Sequence, residues 1–179
     1  MELIRNHSLM ESFFRQWQPH LGDDLDRYRN HCYRVVNHCK QLTNLNRDEL
    51  EQVMIATCFH DVGIWLDNTV DYLKPSQQRA NNYLVREGKS QWSRSVCGMV
   101  MEHHKITAYK GENDKLIEAF RQADWIDVTM GVVTFSLSRE KIRQIRQAFP
   151  YLGFHTMLAQ LTAKNLVKHP LNPLPMFKL

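Results

Sequence analysis

A histidine and an aspartate stand side by side at the end of an apolar stretch of this chain. The stretch reads Val53-Met-Ile-Ala-Thr-Cys-Phe-His-Asp-Val-Gly63, so the doublet is His60-Asp61. Burying an imidazole or a carboxylate without a partner costs several kcal/mol. A divalent cation would be a partner for both side chains. The doublet therefore indicates a metal site at the end of a buried helix.

Two further residues on other predicted helices could complete this site. His31 and His38 share a half-apolar helix face, so one of the two should point into the core. Asp124 lies on a helix whose alanines, Ala119 and Ala123, allow a neighbouring helix to approach closely. The four residues that could surround one ion thus come from three separate helices.

Each of these residues also has an ordinary structural interpretation. A single inward histidine such as His31 is more often a hydrogen-bonded core residue than a metal ligand, and Asp124 could pair with Arg121. Suitable residues on three helices together favour the metal interpretation. Two imidazoles and two carboxylates suit a borderline or hard divalent ion and leave positions open for water and substrate. Such an ion can activate water and polarise a phosphoryl oxygen.

The order of these residues resembles the HD-domain metal-dependent phosphohydrolase superfamily, over about residues 27–130. The resemblance implies one catalytic ion held by His31, His60, Asp61 and Asp124, with Asp61 also orienting the attacking water. It implies hydrolysis of a phosphate mono- or diester, with nucleotides and related small metabolites as the substrate class. The ion could be Mn, Mg, Co, Ni, Fe or Zn.

A second group of candidates lies in the segment Val100-Met-Glu-His-His-Lys-Ile106. In HD hydrolases that bind two metals, extra histidines come from helices between the doublet and the last aspartate. His103 or His104 matches one such position, but this chain has Ser76 at the other. We therefore expect one ion, and catalytic roles for His103, His104 and Lys105 at the substrate phosphate. His103 comes before His104 as the phosphate contact or acid, with ligation of a second ion as the alternative.

The same segment has an ordinary interpretation too. Two histidines at the end of a helix are favoured by the negative pole of the helix dipole, and an exposed lysine such as Lys105 is usually only solvated.

The spacing of apolar residues predicts an all-α single domain that covers residues 1–179, in the single-domain helical HD-domain fold. No segment alternates with a period of two, so we expect no sheet. About eight helices are predicted, near residues 6–17, 23–42, 46–61, 76–87, 90–104, 113–130, 138–148 and 155–168. The prolines of residues 170–179 predict an extended tail.

Local signals predict where these helices begin and end. The first helix should stop before Pro19, and Gly63 should end the third. Residues 64–75 should form a connection, while Ser76 and Ser90 should cap the helices that follow. Asn113 or Asp114 should start the helix that carries Asp124.

Bulk properties narrow the possible partners. The net charge of +4 is compatible with an anionic substrate but too small to indicate nucleic acid. The four cysteines show no CxxC spacing and predict buried free thiols. No signal peptide or spanning segment is present, so we expect a cytoplasmic protein with a small phosphorylated, nucleotide-like substrate and no membrane partner.

Two other functions remain possible at this point. The chain could be a non-enzymatic binding or regulatory module that retains the metal site. A di-iron oxygenase, as found in a minority of the superfamily, would need more ligands than the sequence offers. Other catalytic motifs, such as GxGxxG, GxSxG and HExxH, are absent from the sequence.

Overall fold

Helices form the regular structure of the chain. A computed structural model describes residues 2–111 and 114–168, and none of these residues forms a strand, so the predicted all-α fold is confirmed for them. The predicted tail and the alternative helix start at Asn113 lie outside the described residues. The helices are α1 (Ser8–Leu21), α2 (Leu25–Leu42), α3 (Arg47–Phe59), α4 (Gly63–Leu66), α5 (Leu73–Arg86), α6 (Ser93–Glu102), α7 (Asp114–Val128), α8 (Arg139–Ala148) and α9 (Phe154–Lys168).

The start of α3 follows from its sequence. The Asn46 side chain accepts a hydrogen bond from the Glu49 backbone, and the Glu49 carboxylate accepts one from the Asn46 backbone. This reciprocal cap satisfies two N–H groups that the first turn leaves without a helical partner. All residues from Gln52 to Phe59 are then buried. The apolar helix therefore delivers the His60-Asp61 doublet into the interior.

Four helices pack against one another around the site residues. These are α2, α3, α6 and α7, with α2 and α7 making the most extensive pair. Three cysteines, Cys32, Cys39 and Cys58, are buried free thiols as predicted, and Cys97 is half-buried. Because the candidate ligands lie on or directly after these four helices, core packing sets their relative positions.

The first helix is longer than its sequence predicts. It continues through Pro19 to Leu21, although Pro19 has no N–H to donate to the preceding turn. Leu21 is buried in the core, and this burial stabilises the last turn. Gly22, with a φ of 51°, then ends the helix by donating its N–H to the Gln18 carbonyl.

The prediction that Gly63 ends a helix is wrong. α3 already ends at Phe59, and Gly63 starts α4 without a left-handed φ. A Cβ at Gly63 would lie 2.9 Å from Ser76 Oγ and 3.0 Å from the Tyr72 carbonyl oxygen. The glycine therefore allows α4 to approach the start of α5. The predicted connection over 64–75 contains both α4 and the first residues of α5.

The two predicted serine caps are also wrong. Ser76 lies inside α5, where its Oγ accepts a hydrogen bond of 3.0 Å from the Gly63 N–H. Ser90 begins a single 3-10 turn in which the Trp92 N–H bonds to the Lys89 carbonyl, so no serine oxygen is needed there. α6 follows from Ser93 without a side-chain cap.

The close contact at Gly63 predicts a measurable cost for one added methyl group. Gly63→Ala should lower the free energy of unfolding by about 1–3 kcal/mol, because the new Cβ meets a backbone oxygen that cannot turn aside. Gly98→Ala is a matched control within α6. Its Cβ would lie 2.5 Å from Ile117 Cδ1, the end of a side chain that can shift where a backbone oxygen cannot, and alanine favours the helix. Urea unfolding curves compare the two, and an equal cost would contradict this role of Gly63.

Candidate metal centre

The four predicted ligands lie together in the core, and ligand atoms of His31, His60 and Asp61 all lie within 4.8 Å of one another. His31 Nε2 lies 2.9 Å from His60 Nε2 and 3.5 Å from Asp124 Oδ1. His60 Nε2 lies 3.2 Å from Asp61 Oδ2 and 3.7 Å from Asp124 Oδ1. Neighbouring ligand atoms around an ion about 2.1 Å away stand about 3.0–3.4 Å apart. The cluster therefore has the dimensions of a divalent-ion site.

This cluster is buried and its oxygens are incompletely bonded. The two imidazoles have no exposed surface, and the side chains of Asp61 and Asp124 are only 6% and 2% exposed. Asp61 Oδ1 and Asp124 Oδ1 have no hydrogen-bond partner. A buried carboxylate oxygen without a partner is costly, which indicates that these atoms are arranged for a cation.

The tautomers of both histidines follow from their outer contacts. His31 Nδ1 lies 2.6 Å from Asp127 Oδ2, and His60 Nδ1 lies 2.7 Å from the Thr57 carbonyl oxygen. A carbonyl or an ionised carboxylate can only accept, so each Nδ1 carries the proton. Two Nε2 lone pairs then face each other at 2.9 Å. This arrangement repels unless a proton or a cation lies between them.

The charges around the cluster support the same conclusion. Burial alone would lower the pKa of His60, but Asp61 and Asp124 raise it well above the usual value. Burial would raise the pKa of Asp61, but His60 and His103 hold it well below its usual value. The carboxylates are therefore ionised and stabilise a positive charge beside His60. That charge can be a proton or a divalent ion in its place.

Asp127 orients His31 and was not singled out from the sequence. Arg34 binds Asp127 through two hydrogen bonds, from Nε to Oδ1 at 2.5 Å and from Nη2 to Oδ2 at 2.9 Å. Burial would raise the pKa of Asp127, but Arg34 and His31 hold it well below the usual value, so it stays ionised. The signal was a pair of i, i+3 spacings: Arg34 follows His31 on α2, and Asp127 follows Asp124 on α7.

The ordinary interpretation of Asp124 does not hold. Arg121 makes two hydrogen bonds to Glu118, of 2.8 and 2.6 Å, and one to the Lys105 carbonyl. This arginine therefore does not neutralise Asp124. His31 and His38, which share a face of α2, both point inward. Burial lowers the pKa of His38 to about 4.

His103 and His104 lie beside Asp61, on the side away from His31. His103 Nδ1 donates to the Val100 carbonyl at 2.8 Å, and its Nε2 points toward Asp61 Oδ1 at 3.4 Å without a hydrogen bond. Ligand-capable atoms of Asp61, His103 and His104 all lie within 4.8 Å of one another. This second group could also hold an ion.

Tyr72, in the predicted connection over residues 64–75, contacts His104. Its hydroxyl lies 2.6 Å from His104 Nε2. Burial raises the pKa of Tyr72 well above its usual value, while burial and His103 lower the pKa of His104 to about 3. The tyrosine therefore donates to a neutral imidazole, and His104 Nε2 is occupied. Ser76 occupies the position where the resemblance places a histidine in two-metal HD hydrolases. Its Oγ accepts a hydrogen bond from the Gly63 N–H.

The central side chains are almost fully enclosed by the core. Asp61 has the largest exposed fraction among the four, at 6%, and the neighbouring His103 is fully buried. The Phe154 ring of α9 stacks on His31 with 4.3 Å between ring centres. Lys105 follows His104 and is half-buried, with its carbonyl bonded to Arg121 and Trp125. Its contact with phosphate stays a prediction.

No protein-family model matches this chain, and comparisons with curated proteins and with solved structures found no match either. The resemblance to the HD-domain superfamily therefore stays a prediction based on residue order. Within residues 2–111 and 114–168, no helix is both long and apolar enough to cross a bilayer.

The contact between His31 and Asp127 predicts an effect on metal affinity. Asp127→Asn should weaken Mn²⁺ binding about 10- to 100-fold. The neutral amide of asparagine would hold the Nδ1–H of His31 less strongly than the charged carboxylate does. Asp67→Asn is a matched control, since Asp67 pairs with Arg79 at the surface. Calorimetric titration of both variants gives the affinities. Wild-type affinity in Asp127→Asn would show that this contact does not shape the site.

Proposed function

We propose that this protein is a metal-dependent phosphohydrolase of the HD type. It would cleave a phosphate mono- or diester of a nucleotide or related small metabolite with a metal-activated water. One observation carries the proposal: carboxylate oxygens of Asp61 and Asp124 converge with two imidazole lone pairs in the core, and the Asp124 oxygen has no hydrogen-bond partner. The donor set is mixed nitrogen and oxygen, which suits the divalent ions that such hydrolases use.

The residues that would hold the ion are His31, His60, Asp61 and Asp124. When bound, the ion would lower the pKa of a coordinated water and polarise the phosphoryl group. The donor set does not select among Mn, Mg, Co, Ni, Fe and Zn. His31 is held by Asp127, and His60 by the Thr57 carbonyl, so both imidazoles are oriented before an ion arrives.

Asp61 is suited to two tasks because its oxygens face different neighbours. Oδ2 faces His60 at 3.2 Å and belongs to the candidate metal centre. Oδ1 faces His103 Nε2 at 3.4 Å and has no hydrogen-bond partner. An ionised carboxylate accepts hydrogen bonds only, so Oδ1 can accept one from the attacking water and orient it.

We propose that His103 contacts the substrate phosphate beside Asp61. Its Nδ1 carries the proton that binds the Val100 carbonyl, so Nε2 can accept a proton and return it to a leaving group. In the protonated form it can also bind a phosphate oxygen through a charge-assisted hydrogen bond. Tyr72 holds the neighbouring His104 in a fixed orientation, which limits the space beside His103.

A screen of phosphorylated metabolites with each of the six metals tests the proposal. Turnover of at least one phosphoester is expected, and Asp61→Ala should reduce it by several orders of magnitude, because a ligand and a water-orienting group are lost together. Asp67→Ala, a surface carboxylate paired with Arg79, should keep wild-type turnover. Circular dichroism checks that both variants are folded. Near-normal turnover in Asp61→Ala would rule out this mechanism.

His103→Ala distinguishes a phosphate contact from a ligand of a second ion. A phosphate contact acts only once substrate is bound, so metal content should stay at the wild-type level while kcat/KM falls about 10- to 1000-fold. The exposed His20 provides a matched control, His20→Ala. Two metals per wild-type chain, falling to one in His103→Ala, would instead assign His103 to a second ion.

A further inference from the structure

The loop between α7 and α8 exposes a group of large apolar side chains. The described part of the chain has nine exposed large apolar side chains. Four of them lie in one six-residue stretch of this loop. They are Met130, Val132, Val133 and Phe135, and Val132 is 75% exposed. We refer to residues 130–135 as the apolar loop. Clustered exposure of this kind marks a surface that contacts another molecule or phase.

The apolar loop has a fixed backbone conformation, in which the Arg121 guanidinium lies 5.4 Å from the centre of the Phe135 ring. Met130 and Phe135 have φ values of 55° and 47°, a left-handed conformation that bulky residues seldom adopt. The loop is tied down at both ends: the Gly131 N–H bonds to the Ile126 carbonyl, and Leu137 is buried in the core. The fold therefore presents the apolar loop in a defined conformation that carries a conformational cost.

A basic surface lies next to the apolar loop. The buried face of α8 carries Ile142 and Ile145, and its exposed face carries Arg139, Lys141, Arg143 and Arg146. The three arginines line a cavity of about 270 Å³, together with Met130 and Gly131 of the loop. The acidic residue in its lining, Glu140, is paired with Arg143. Met130 of the apolar loop and the α8 arginines thus share one continuous surface.

We propose that this surface docks the protein on an anionic phospholipid bilayer. The apolar loop would enter the interface between headgroups and acyl chains, while the α8 arginines would bind lipid phosphates. Anionic lipids at the cytoplasmic leaflet attract basic residues near the surface. The expectation of no membrane partner rested on the absence of a spanning segment, and a surface-bound loop needs none.

Charge favours a lipid surface over a second copy of this chain. A symmetric dimer formed through the apolar loop would bring two sets of α8 arginines together, and like charges across an interface oppose binding. An anionic bilayer neutralises the same arginines. The occupant that fits both the apolar and the basic part of the surface is therefore the bilayer.

Vesicle co-sedimentation of the full chain tests the proposal. Vesicles of phosphatidylcholine with 30% phosphatidylserine should bind the protein, and vesicles of phosphatidylcholine alone should bind it much more weakly. Each arginine contributes about a fivefold factor, so Arg139→Gln/Arg143→Gln/Arg146→Gln should weaken binding by roughly 100-fold. Val132→Asp/Phe135→Asp should abolish it, because both the apolar insertion and the local charge are changed.

Matched controls separate this surface from a general charge effect. Arg15→Gln/Arg47→Gln/Arg86→Gln removes the same charge from exposed arginines on other helices, and Val85→Asp changes an exposed valine on α5. Both should bind like wild type, and all variants should keep the wild-type circular dichroism melt. Equal losses in the control variants would overturn the proposal. So would a dimer in sedimentation velocity that Val132→Asp/Phe135→Asp dissociates without any vesicle binding.

Discussion

The structure depends on one electrostatic constraint: the Nε2 atoms of His31 and His60 lie 2.9 Å apart with their lone pairs toward each other. Both Nδ1 protons are committed to acceptors, on Asp127 and Thr57, so neither imidazole can turn its proton inward without losing a buried hydrogen bond. Something positive must lie between them. The ionised carboxylates of Asp61 and Asp124 add to that requirement, and together the four groups could hold a divalent ion.

The helical scaffold enforces this constraint through a buried ion pair. Arg34 on α2 binds Asp127 on α7 and also donates to the Phe149 and Pro150 carbonyls, which follow α8. These contacts fix α2 against α7 and therefore set the distance between His31 and Asp124. Removing one member of a fully buried pair leaves an uncompensated charge that costs about 3–5 kcal/mol. The pair thus links the stability of the domain to the geometry of its site.

The sequence was most informative where chemistry restricts the residue type. Buried imidazoles and carboxylates are rare in apolar helices, so His31, His60, Asp61 and Asp124 could be identified from residue type, order and resemblance alone. The Asn46 cap of α3 was likewise predictable, since its partner is only three residues away. The structure brings these residues close together in the core, while their metal ligation and the reaction stay proposals.

The errors concern residues whose roles depend on distant parts of the chain. Residue type and neighbouring sequence predicted a helix end at Gly63 and a helix cap at Ser76. In the structure the two residues contact each other where α4 meets α5. Asp127 was missed because its partner, Arg34, is 93 positions away and becomes its neighbour only when α2 packs on α7. The exposure of Val132 and Phe135 is invisible in a sequence for the same reason.

Crystals of the protein grown with Mn²⁺ provide the most direct measurement, because the ion's anomalous scattering locates it independently of the ligands. We expect an anomalous peak about 2.0–2.4 Å from His31 Nε2, His60 Nε2 and one oxygen each of Asp61 and Asp124. An anomalous map with no peak between His31 and His60, at an Mn²⁺ concentration that saturates binding in solution, would contradict it.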